Sequence, residues 1–232
     1  MNYQSNFTAF QAASLPVTEA EAEKQPCFEK ESFSVRLLDI SVSLFAFLTL
    51  APLMLVLIVL IRLGDGGSAL YKQPRIGKNG KVFNCWKFRS MVTNSSEVLA
   101  DLLENNPEAA AEWQKDQKLK NDPRITKIGA LIRKTSLDEL PQLWNILKGD
   151  MSLVGPRPIV KNEVEKYGDY ISYYKAVKPG VTGLWQVSGR NDTTYDERVQ
   201  MDVSYVENKS ILSDLKIIIL TIPAVLFSKG AY

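Results

Sequence analysis

Ile40-Ser41-Val42-Ser43-Leu44-Phe45-Ala46-Phe47-Leu48-Thr49-Leu50-Ala51-Pro52-Leu53-Met54-Leu55-Val56-Leu57-Ile58-Val59-Leu60-Ile61 carries no charge from end to end. A straight transmembrane helix needs roughly 20 such residues, so by length alone this run can span a bilayer. Pro52 stands in its middle, where it removes the backbone bond to the Leu48 carbonyl and kinks the helix. Arg36 and Asp39 before the run, and Arg62 after it, suit a headgroup region. Two arrangements satisfy these features: a spanning helix, or one bent at Pro52 that dips into one leaflet and returns. If it spans, the basic flank of Arg62, Lys72, Arg75, Lys78, Lys81, Lys87 and Arg89 against Asp65 keeps the C-terminal part in the cytoplasm. Both arrangements put that part of the chain on the same side.

Upstream, residues 1–32 are polar and acidic, with Glu19, Glu21, Glu23, Glu29 and Glu31 against Lys24 and Lys30. They show no apolar period and no basic start feeding an apolar run, so a disordered tail is expected rather than a signal peptide. Downstream, Ala69–Ile76 and Lys81–Met91 flank Asn79-Gly80, a strong hairpin turn pair. Ser95 to Lys120 reads as polar helix with a break at Pro107, its charges forming a solvated face. The apolar stretch Ile217 to Phe227 is too short to span and carries Pro223. A core helix and a helix lying in the membrane interface fit it equally.

The chain of 232 residues holds no histidine. That removes the usual general base and every Ser-His-Asp or Cys-His arrangement. Chemistry must come from carboxylates, Lys, Arg, Tyr or hydroxyls, and any metal would be oxygen-ligated Mg²⁺ or Mn²⁺. Cys27 and Cys85 lie far apart without a CxxC, so neither a disulfide framework nor a zinc site is suggested. A net charge of +2 gives no ground for a nucleic-acid partner.

Three blocks could carry chemistry. In Thr135-Ser136-Leu137-Asp138-Glu139-Leu140-Pro141-Gln142-Leu143, Ser136 and Glu139 have the spacing of a capping box. Leu140, Leu143, Trp144 and Leu147 would form the apolar face of the next helix. On spacing alone that reading outweighs catalysis, although Pro141 falls just past the first turn and forfeits a backbone bond. On a helix, Asp138 and Glu139 would point about 100° apart, which suits a nucleophile beside a metal ligand. In Gly155-Pro156-Arg157-Pro158, two prolines present Arg157 from a stiff loop, either to clamp a diphosphate or to pair with a carboxylate. In Lys178-Pro179-Gly180-Val181-Thr182-Gly183-Leu184-Trp185, the glycines allow close backbone approach, and Trp185 reads as core more readily than as a stacking surface.

Together with Lys87-Phe88-Arg89-Ser90-Met91, Asp122-Pro123-Arg124 and Gly189-Arg190, these blocks resemble the bacterial sugar transferase family, the monotopic phosphoglycosyl transferases. The resemblance covers about residues 33–230. It implies an α+β, mainly helical fold. That fold would be monotopic and membrane-anchored, with one Pro-broken re-entrant helix, interfacial helices and a small antiparallel hairpin. The family breaks its helix at Ser-Pro, and here the pair is Ala51-Pro52. The implied organisation is a tail over 1–32, the membrane helix over 33–63 and a cytoplasmic catalytic domain over 64–232. The chain resembles the short members, without the extra transmembrane helices and soluble domain of longer ones. The resemblance makes Asp138 the covalent nucleophile, Glu139 the Mg²⁺ ligand, Arg157 the diphosphate clamp, and Lys87, Arg89, Arg124 and Arg190 substrate-binding residues. The implied reaction moves a sugar 1-phosphate from a UDP-sugar, galactose or glucose, to undecaprenyl phosphate at the cytoplasmic face of the bacterial inner membrane, beginning exopolysaccharide synthesis. The competing expectations are a non-catalytic membrane adaptor and an aspartyl-phosphate phosphatase, the latter lacking its DxDx[TV] arrangement. The sugar and any homo-oligomer are left open.

Overall fold

The computed structural model describes residues 32–116, 119–188 and 193–226. The expected tail, but for Ser32, and Arg190 lie outside the described residues. The chain divides into two packing units, one of residues 32–49, 72–86 and 142–226, the other of residues 50–71 and 87–141.

Helix α1 runs over Phe33–Asp65, with Pro52 inside it. It is long and apolar enough to cross a membrane by length and composition, and only 11% of its most apolar window is buried. Phe45, Leu48, Leu55 and Leu63 are each more than 60% exposed. The expected hairpin forms as β1 (Leu70–Ile76) and β2 (Val82–Phe88), joined through a 3₁₀ turn at Lys78–Gly80. Asn79 and Gly80 both take positive φ there, the reason this pair signals a hairpin.

The second unit contains α2 (Ser95–Asn105), α3 (Pro107–Asp116) and α4 (Lys127–Lys134). The break falls at Pro107 as expected: Asn106 Oδ1 accepts from Ala109 N at 3.0 Å, and a proline opening a helix has no N–H to lose. Its core joins Leu57 and Ile61 of α1 to Ala69, Phe88 and Ile132, with Leu137 and Leu140 packed against them.

The first unit contains α5 (Gln142–Lys148), β3 (Ser152–Val154), α6 (Ile171–Ala176), β4 (Gly180–Thr182), α7 (Leu184–Ser188), α8 (Tyr195–Glu207) and α9 (Ile211–Leu226). Strands β3 and β4 pair in parallel, Ser152 opposite Gly180 and Val154 opposite Thr182. That ladder was not expected, because three-residue strands carry no periodic signal. At its end a Cβ on Gly183 would sit 2.2 Å from the Gly155 carbonyl oxygen, so the two backbones touch where only glycine fits.

The helix after Pro141 differs from its expected form. It begins at Gln142, so Pro141 precedes it and forfeits nothing. Its buried residues are Gln142, Asn145 and Ile146, whereas Trp144 is 54% exposed. Asn145 decides this orientation. Its Oδ1 accepts from Trp86 N at 3.0 Å and its Nδ2 donates to the Asn84 carbonyl at 2.8 Å, completing backbone groups of β2. Arg36 of α1 closes the other end of α5, donating to the Ile146 and Leu147 carbonyls at 2.7 and 2.9 Å. The last helix starts earlier than the apolar stretch suggests, buries Ile217 at 2% exposure and leaves Leu212, Ile219 and Ile222 exposed.

Candidate functional site

Asp138 and Glu139 lie in a 3₁₀ turn, Leu137–Glu139, just after α4. Three residues per turn put Leu137 and Leu140 on one side, where both pack on the core of the second unit. The two carboxylates between them are therefore turned the other way. Lys87 meets them from β2, where its neighbour Phe88 is 2% exposed and anchors the strand. Lys87 Nζ donates to Glu139 Oε1 at 2.7 Å and lies 3.6 Å from Asp138 Oδ2.

The capping box expected at Ser136 and Glu139 does not form. Ser136 takes φ 56° and ψ 16° and its side chain makes no cap bond. The left-handed conformation of a serine costs roughly 1–2 kcal/mol. It tips the chain out of α4, so the Glu139 carboxylate faces Lys87 instead of reaching back along a helix. Backbone strain at such a place points to function.

Burial pushes the Asp138 carboxyl up; Lys87 opposes this, Glu139 adds to it, and Arg133 opposes it again. Arg133 belongs to none of the motifs singled out in the sequence. It leaves the last turn of α4, and its Nε donates to Ser90 Oγ at 2.8 Å. Its position in the Ile132-Arg133-Lys134 end of an amphipathic helix, five residues before Asp138, is the signal that could have found it.

The remaining sequence-selected residues are placed differently. Arg89 is paired through both Nη atoms with the Asp65 carboxylate. Arg124 is 9% exposed; its Nε and Nη2 donate to Asp122 at 2.8 and 2.6 Å, and its guanidinium lies 4.9 Å from the Trp113 ring centre. Both guanidinium groups are thus committed to neighbouring carboxylates, at the end of α1 and at the turn into α4. Pro52 lies within α1. Arg157 belongs to the other unit. There Pro156 and Pro158 are buried and Arg157 between them is exposed, the stiff presentation expected from two flanking prolines.

For a divalent cation the relevant donors are the Asp138 and Glu139 carboxylates. Mg²⁺ commonly takes one or two carboxylates and completes its shell with water and substrate phosphate, so this hard-oxygen pair fits it. No cluster of three or more His, Cys, Asp or Glu suited to a metal occurs among the described residues, which leaves no dedicated protein cage there.

A family model described as bacterial sugar transferase matches residues 30–228. The chain belongs to the bacterial sugar transferase family. Among its relatives is an uncharacterized sugar transferase of Haemophilus influenzae, 58% identical over 85% of this chain. An undecaprenyl-phosphate galactose phosphotransferase of Salmonella typhimurium is 57% identical over 86% of this chain. The chain spans only 42% of the length of each of these two proteins. The exopolysaccharide production protein ExoY of Sinorhizobium fredii is 49% identical, the match covering 86% of this chain and 88% of that protein.

Proposed function

We propose that this sugar transferase moves a sugar 1-phosphate from a UDP-sugar to undecaprenyl phosphate through a covalent intermediate on Asp138. The observation that carries the reading is the convergence of Asp138 and Glu139 on Lys87, in a strained turn, within a family whose relatives include a phosphotransferase to this lipid. Galactose or glucose is the proposed sugar. The exposed apolar face of α1 and the outer side of α9 support a monotopic anchor, re-entrant at Pro52, with the site at the cytoplasmic face of the inner membrane.

In the first half-reaction an Asp138 oxygen attacks the phosphorus next to the sugar. The bond from that phosphorus to the bridging oxygen breaks, and UMP leaves with the electron pair. In the second, an oxygen of undecaprenyl phosphate attacks the same phosphorus and expels the carboxylate. No proton need be removed from either nucleophile, which suits a chain without histidine. Lys87 opposes the burial that disfavours the ionised form of Asp138, whose side chain is only 13% exposed. Glu139 would hold Mg²⁺, which when bound would neutralise diphosphate charge. Arg157 is the proposed diphosphate clamp.

Purified protein in detergent, given Mg²⁺, undecaprenyl phosphate and a panel of UDP-sugars, is expected to convert one hexose donor to lipid-linked product with equal release of UMP. A folded, lipid-competent preparation that makes neither from any donor would favour the adaptor reading.

The electrostatics set a pH dependence. With its carboxyl pushed up, Asp138 loses its reactive form at a higher pH than an ordinary aspartate, near 3.9, so the acid limb of UMP release lies above that value. Lys87→Met removes the cation that lowers it, and the limb is expected to move further up. A limb that stays in place or moves down would separate Lys87 from Asp138 ionisation. For stability the sign is the reverse of an ion-paired surface carboxylate. The contribution of protonated Asp138 is present below the ordinary range and lost as pH rises through the folded value.

A further inference from the structure

In the first unit, the contact of Gly155 with Gly180 and Gly183 brings the Pro156-Arg157-Pro158 loop beside α7. Two arginines lie over the same indole there. Arg157 is exposed, with its guanidinium 5.8 Å from the Trp185 ring centre, and Arg198 is 7% exposed at 5.0 Å. The indole edge is fixed, its Nε1 donating to Thr193 Oγ1 at 2.7 Å. The ring itself is half-buried rather than core.

Arg198 is an unusual support. Its nearest carboxylate contacts are long, 3.7 Å to Glu163 and 4.0 Å to Asp202, and its Nε and Nη2 are buried without a hydrogen-bond partner. The Asp202 carboxylate instead accepts from the Tyr167 hydroxyl at 2.7 Å, and burial pushes Asp202 up to about 6. Arg198 also lies 5.1 Å from the Tyr195 ring centre. It is held between two aromatic rings and two long carboxylate contacts, and so steadies Trp185. Arg75 adds a third guanidinium, bonded to the Pro158 carbonyl at 2.8 Å behind the Arg157 loop. A steadied aromatic ring beside an exposed arginine on a rigid loop is the chemistry that recognises a flat base joined to a diphosphate.

We propose that Trp185 is the stacking platform for the nucleobase of the donor, with Arg198 as its positioning residue and Arg157 as the cover that leaves the ring for the diphosphate. This rests on the nucleotide-sugar donor proposed above. The test compares UDP with inorganic pyrophosphate as ligands of the detergent-solubilised full chain by calorimetry. Wild type should bind UDP at least about tenfold more tightly than pyrophosphate, since base–aromatic stacking contributes on that scale. In Trp185→Ala the two affinities should converge, with pyrophosphate binding kept, and Trp185→Phe should recover part of the difference. In turnover, Trp185→Ala should raise KM for the donor far more than it lowers kcat. Quenching of tryptophan fluorescence by UDP, lost in Trp185→Phe, gives a readout through the more conservative variant if the alanine protein does not fold. An unchanged UDP preference in the folded variants, or quenching that survives Trp185→Phe, would overturn the platform alone. Wild-type protein that binds pyrophosphate but shows no preference for UDP would also overturn it, whereas wild type that neither binds nor turns over any UDP-sugar would remove the donor reading itself.

Discussion

Asp138→Asn should release no UMP when mixed with the correct UDP-sugar and Mg²⁺ in the absence of lipid. Wild type under the same conditions should give a burst no larger than the amount of enzyme, because each molecule stops as the aspartyl-phosphosugar. An amide cannot form an acyl phosphate, and loss of a covalent nucleophile typically costs roughly 10⁴- to 10⁶-fold in rate. Folding should survive, since Lys87 retains Glu139 at 2.7 Å and the substitution removes a buried charge. Glu139→Gln should slow the burst and weaken metal dependence without abolishing it. The rival mechanism is direct attack by the lipid phosphate, with both carboxylates serving the metal. It requires no UMP without lipid, intersecting rather than parallel double-reciprocal plots, and similar losses in the two variants. A wild-type preparation that turns over fully with lipid yet shows no burst would remove the covalent intermediate and leave the transfer reaction standing.

Gly129→Ala is expected to be the most damaging substitution outside the carboxylate pair. A Cβ there would lie 1.9 Å from the Ser90 carbonyl oxygen and 2.7 Å from its carbon. These are backbone atoms that cannot rotate away. The same Ser90 oxygen accepts from Thr126 N at 3.1 Å, and Thr126 Oγ1 caps α4 by accepting from Gly129 N at 2.9 Å. The helix start is thus clamped from both sides. Relief requires α4 to lift from Ser90, breaking the Arg133–Ser90 bond and shifting the turn that carries Asp138. Overpacking of this kind costs about 1–3 kcal/mol, which lowers Tm by roughly 2–12 °C in a chain of this size. Activity should fall more than the population of folded protein. Gly64→Ala, with nothing within 4 Å of the added carbon, is the control and should not lower Tm, because alanine at an unhindered helical position is neutral to stabilising. Equal Tm values for wild type and Gly129→Ala would mean that α4 is not seated on Ser90.

The features legible in the amino-acid order are those that neighbouring residues decide among themselves. The uncharged run Ile40–Ile61 is long and apolar enough to form a helix despite Pro52, and it falls inside α1. Asn79-Gly80 turns the hairpin because these residues accept positive φ, and Pro107 starts a helix because it has no N–H to lose. The motif order was sufficient to select the family, and it placed Asp138 and Glu139 side by side.

Only the tertiary structure decided what those residues face. Ser136 abandons the capping geometry its spacing allows, because Leu137 and Leu140 must both reach the core shared with Phe88 and Ile132. Glu139 meets an ammonium 52 positions away in the chain. The face of α5 is chosen by Asn145, whose amide satisfies two backbone groups of β2. The burial of Asn145 and the exposure of Trp144 depart from the face that hydrophobic periodicity predicts, while Leu140 and Leu143 pack against cores as expected. The parallel pairing of β3 with β4, and the setting of Trp185 beneath two arginines, likewise depend on partners distant in sequence. A local pattern records the preference of a segment for its own conformation. Which buried donors and acceptors need completing, and by what, is settled when distant segments pack and water leaves.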